Sequence, residues 1–158
     1  LFGGFISVHV LGIFEPVMEL HPELFFFTPL IAAMAGNVGV QSSAIIVQGL
    51  ANNTIIGPVV ERLLKELSLS LLNGVILSVI LLAGSYFLLG YEIHVGYTVS
   101  IALLSVIIMA SLIGTFIPII LNKYGVDPAL ATGPFITTSN DILGILTYFT
   151  IAKIILGI

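Results

Sequence analysis

FITTSNDILG, residues Phe135–Gly144, sits inside a segment from 134 to 157 that is long and apolar enough to cross a membrane. A span needs about 20 mostly apolar residues to cross a hydrocarbon core of about 30 Å. Asp141 is the lone carboxylate in that segment. Such a group costs about 2.5–3.5 kcal/mol at the bilayer centre on insertion scales, so it faces a partner, a water-filled path or an ion. The stretch reads as a membrane helix whose Asp141 lines a cation pathway. A structural hydrogen bond to Asn37 or Asn73 is the alternative.

Composition agrees with that reading. The 158 residues are 58% hydrophobic and only 8% charged, where a soluble domain carries about 25% charged residues. Mean hydropathy is +1.23. The expected fold class is an all-α integral membrane protein that crosses the lipid bilayer as a multi-pass chain of the cell membrane. There are no cysteines, which excludes disulfides and thiolate metal sites. The net charge of -4, with four scattered basic residues, speaks against nucleic acid. The chain begins at Leu1, directly in an apolar stretch, so the expectation is a membrane domain taken from a longer chain.

Five transmembrane helices are expected, over about 1–14, 24–50, 67–89, 97–121 and 134–157, the first truncated at its start. Between the first two, Glu15–Glu23 reads as a polar turn broken by Pro16 and Pro22. Pro29 removes a backbone donor within the second span and is a candidate kink. Glu61–Glu66 is the only charge cluster and reads as an interfacial amphipathic turn. In the third span, Gly74 and Ser78 have the small-xxx-small spacing that lets helices approach closely.

Charge sets the orientation. Arg62, Lys65 and Lys123 fall in the connections after spans two and four, while the opposite connections carry Glu15, Glu19, Glu23 and Glu92 without Lys or Arg. The positive-inside rule places the basic side, and with it the N-terminal side, in the cytoplasm and the C-terminus outside.

Two polar stretches have the chemistry of a shared ion site. In the second span, Asn37 and Gln41 are four apart and share a helix face, beside Gly36 and Gly39. In the fifth, Thr137, Asp141, Gly144 and Tyr148 follow an i, i+4, i+7 rhythm into one stripe, with Pro134 seven residues before Asp141. Hydroxyl, carboxylate and carbonyl oxygens suit hard cations, Mg2+ above all, with Ca2+ and Mn2+ admitted. Mg2+ keeps several waters around one or two carboxylates. One Asp per chain is too little charge for a divalent ion, so a homodimer with two Asp141 carboxylates across a two-fold axis is expected. Gly-Asn-Val-Gly as a plain close-packing motif is the competing reading.

At these residues the sequence resembles the membrane domain of the MgtE family of magnesium channels and transporters. The resemblance rests on PLIAAMAGNVGVQS at Pro29–Ser42, on Asp127-Pro128-Ala129, on Gly133-Pro134 and on the stretch from Asp141 to Gly144. It implies a dimeric, Mg2+-selective pore lined by the second and fifth helices, with Asp141 as the central group for a largely hydrated ion. The matching neighbours are Thr137, Gly144, Gly36 and Asn37. Pro29, Gly39, Gln41, Pro134, Thr138 and Asn140 are expected to line the pore or pack its helices. Ala35 departs from the second glycine of many members. The family's cytoplasmic regulatory domain is not within this chain.

The leading expectation is Mg2+ transport, with Mn2+, Ca2+ and Co2+ as competing ions. A Na+- or H+-coupled exchanger is the alternative, since carriers of that class use broken helices such as Pro29 and the glycines permit. No Ser-His-Asp set, HExxH or phosphate-cradling loop occurs, and His9, His21 and His94 are dispersed, so an enzyme is not expected.

Overall fold

The computed structural model describes residues 1–55, 57–131 and 133–158. Among the described residues the regular elements are all helical. They are α1 (Phe2–Ile13), α2 (Glu15–Leu20), α3 (Pro22–Ala51), α4 (Val59–Phe87), α5 (Ile93–Lys123), a 3-10 turn at Pro128–Ala131, and α6 (Pro134–Leu156). Helices α3 to α6 are each long and apolar enough to cross a membrane, and α1 is a shorter apolar helix of 12 residues. This is the all-α membrane architecture expected, with the shorter helix α1 where the first span is expected.

The Glu15–Glu23 segment is more regular than a turn. Pro16 lies in the first turn of α2 and Pro22 in the first turn of α3, where a missing N–H breaks no helical bond. Val17 is buried and pins α2 down. Pro29 does not end α3, which runs on through it to Ala51.

Helix α5 is the axis of the bundle. Val99, Ala102, Leu103, Val106, Ile107 and Ala110 are all buried, and α3, α4 and α6 each pack against α5. Its small residues allow this. A Cβ at Gly74 of α4 would stand 2.6 Å from Leu104 Cδ1, and Ser78 donates to the Ser100 carbonyl at 2.8 Å. The Gly74–Ser78 spacing is therefore the seam between α4 and α5, held by close approach rather than by large side chains. Another face of α4, with Leu72, Val75, Ile76, Val79 and Ile80, is exposed, as suits a helix against lipid.

Helices α3 and α4 lean on α5 and scarcely on each other. A crevice of about 650 Å³ opens between them at the end where α4 stops, lined by Phe26, Leu30, Leu77 and Leu88 among others. The four long helices alternate in direction. Lys65 and Arg62 therefore share one end with Ile119, near the close of α5. His21, Glu23, Glu92 and His94 share the other.

Candidate functional site

Helices α3 and α6 run antiparallel and cross at glycines. A Cβ on Gly39 would overlap the Asn140 amide, and one on Gly114 of α5 would collide with the Gly39 carbonyl. One on Gly144 would stand 3.0 Å from the Ala35 Cβ. The α3 and α5 backbones thus nearly touch, and the Asn140 side chain of α6 fills the space beside Gly39, as small residues permit. Asn140 is wholly buried at this junction, and neither polar atom of its side chain has a partner among the described residues.

The junction presents Gly36 to the Asp141 side chain. A Cβ at Gly36 would lie 3.4 Å from Thr137 Cγ2 and 3.7 Å from Asp141 Oδ1, with no overlap. Gly36, Asn37, Gln41, Thr137 and Asp141 line one groove of about 320 Å³, walled by Ala32, Ala33, Val40 and Ala44. Asn37 and Gln41 are exposed at its edge, and Asp141 is half-buried. The Thr137 hydroxyl donates to the Gly133 carbonyl at 2.9 Å, which leaves its lone pairs free to accept. Among the described residues Asp141 forms no hydrogen bond and no ion pair. The structural hydrogen bond to Asn37 or Asn73, the alternative reading, is not made.

The other expected site residues lie elsewhere. Gly144 faces inward, toward Ala35 and Val106. Tyr148 is buried and donates to the Leu24 carbonyl at 2.9 Å. The stripe Thr137, Asp141, Gly144, Tyr148 does lie along one side of α6, but what covers it changes. Near Asp141 it opens on the groove; one and two turns later α3 crosses over it, at Ala35 and then at Leu24. Thr138 packs on α1, where a Cβ at Gly3 would overlap its methyl group. Pro134 is exposed in the first turn of α6, after Gly133 at φ 63°. Pro29 is exposed on α3.

One membrane carboxylate escaped the sequence reading. Lys65 and Glu61 pair at 2.8 Å on the exposed side of α4, as a solvated charge cluster should. Glu66 does not belong with them. It is 9% exposed and turned inward between α3 and α5. The available signal was the spacing of Glu66, Ser70 and Asn73, which puts three polar groups on one helix face.

A family profile described as a divalent cation transporter, MgtE, matches residues 28–151. The chain belongs to the MgtE family. All five groove residues, from Gly36 to Asp141, fall within the matched region. The magnesium transporter MgtE of Bacillus subtilis is 39% identical over 153 residues, which is 96% of this chain and 34% of that protein. The protein of the same name from Thermus thermophilus is 33% identical over 97% of this chain, and that of Enterococcus faecalis 34% over 97%. The chain spans about a third of the length of these MgtE relatives.

Proposed function

We propose that this MgtE-family membrane domain carries Mg2+ across the bilayer, with α3 and α6 lining the path and Asp141 binding the hydrated ion. The observation that carries the reading is an unpartnered carboxylate in an open groove of a membrane helix. Such a group is stable there only with an ion or water against it. The groove offers oxygen from carboxylate, amide and hydroxyl groups, which suits a hard cation that keeps most of its water. The names of the relatives supply magnesium as the ion.

The groove lies on the outside of the single chain, and its one carboxylate is too little charge for a divalent ion. Two copies meeting across a two-fold axis would bring two Asp141 carboxylates to one ion and close the groove into a path. The end carrying Arg62, Lys65 and Lys123 would face the cytoplasm. A doubly charged ion moving inward would then gain about 4.6 kcal/mol per 100 mV, twice the figure for one charge.

Flux into liposomes tests this. Mg2+ uptake driven by potential alone, reduced by Asp141→Asn and competed by Ca2+, Mn2+ or Co2+, is the expected result. Unchanged uptake by Asp141→Asn removes that residue from the mechanism. Uptake that requires a Na+ or H+ gradient at zero potential turns the reading toward exchange. A monomer in mild detergent that still transports removes the dimer.

A further inference from the structure

Glu66 is a second carboxylate inside the bundle, with a setting opposite to that of Asp141. It lies two turns into α4. Its Oε1 accepts from Ser42 Oγ of α3 at 2.7 Å and from Ser111 Oγ of α5 at 2.6 Å. The two hydroxyl oxygens are 3.3 Å apart. Glu66, Gln41, Ser70 and Asn73 line a pocket of about 170 Å³, together with apolar side chains such as Ile45 and Ile107.

No basic group balances this carboxylate among the described residues. Lys65 is taken by Glu61. Arg62, one turn before Glu66, lines a different cavity with Thr54 and Gly57, and its Nε has no partner. An enclosed carboxylate with no basic partner lacks charge compensation, which a bound cation would supply. Two O–H donors converging on one oxygen stabilise negative charge there. They leave the second carboxylate oxygen, the serine lone pairs and the amide oxygens of Gln41 and Asn73 as ligands.

We propose that this cavity is a binding site for one monovalent hard cation, Na+, held by Glu66 with Ser42, Ser111, Asn73 and Gln41. The donor set is all oxygen, which selects a hard ion. It carries a single negative charge, which matches one positive charge and leaves a divalent ion half uncompensated. The space is about half that of the Asp141 groove (170 against 320 Å³). Gln41 lines both spaces and sets the two sites side by side on α3.

The site stands apart from the Mg2+ reading, and the test keeps them separate. The full chain is purified in mild detergent and its thermal unfolding followed in NaCl, KCl or choline chloride at equal ionic strength and fixed pH. Na+ is expected to raise the midpoint saturably by on the order of a few degrees, as a ligand of the folded state does. Glu66→Gln should lose that rise, and Asp141→Asn should keep it. Asn73→Ala, at an exposed position, should raise the half-saturating Na+ concentration several-fold. If Glu66→Gln does not fold, Asn73→Ala decides alone. An equal rise with K+ or choline, a rise that survives in the Asn73 and Glu66 variants, or its absence in the unsubstituted chain overturns the proposal. So does a midpoint that follows pH through Glu66 and ignores Na+, since the occupant is then a proton.

Discussion

Asp141 and Glu66 are both carboxylates on membrane helices, and the fold treats them in opposite ways. Asp141 has no partner and looks onto an open groove with Gly36 and Thr137. Glu66 is enclosed and takes two serine hydroxyls from two other helices. An unpartnered group at a groove is suited to an ion that passes; an enclosed, bonded one is suited to holding helices or an ion in place. The difference follows from neighbours. Gly36 has no side chain to give Asp141, whereas Ser42 and Ser111 both reach Glu66.

The sharpest way to break this contrast is at Asp141. Asp141→Asn should lower Mg2+ flux in liposomes by about ten-fold or more, because the charge that draws the ion is gone. Its unfolding midpoint should stay close to that of the unsubstituted chain, because no bond within the protein is lost. A large drop in stability with normal flux would exchange the roles assigned to the two carboxylates.

The next effect tests the junction that keeps the groove open. Gly114→Ala puts a methyl group into the Gly39 carbonyl, backbone against backbone, and α3 and α5 must separate. A destabilisation of about 1–3 kcal/mol is expected, typical of overpacking, with reduced flux as the groove distorts. Unchanged thermal unfolding would mean that the two helices do not meet at these glycines.

Ser111→Ala sharpens the Glu66 side of the comparison. It removes one of the two hydroxyls on Oε1 and should cost about 1.5–2 kcal/mol by denaturant unfolding, the lower part of the range for a hydrogen bond to a charged group. Mg2+ flux should change by less than about two-fold, since Asp141 is untouched. At the bottom of the scale, Glu61→Gln breaks only the exposed Lys65–Glu61 pair. No measurable shift of the midpoint is expected, and any shift should vanish in high salt.

Much of the architecture was legible without coordinates. The apolar runs had the length of membrane spans, and polar residues within them were few enough to stand out. The Asn37–Gln41 and Thr137–Asp141 spacings each put two groups on one helix face, and the structure joins both faces in the same groove. Glu66 was hidden because it follows Glu61 and Lys65, and a cluster of charges reads as solvated until a neighbouring helix is seen to cover one member.

The sequence by itself determined that this chain is a helical membrane domain and which side chains share a helix face, because length, hydropathy and a period of 3.6 residues are local properties. Only the tertiary structure decided what covers each face. It turned Gly144 and Tyr148 inward under α3, placed α5 at the centre, and enclosed Glu66 while leaving Asp141 open. In water a polar face marks the outside of a helix, but lipid is as apolar as the core. Hydropathy therefore gives no sign of which apolar face meets a neighbour, and that was settled by where small residues let the backbones touch.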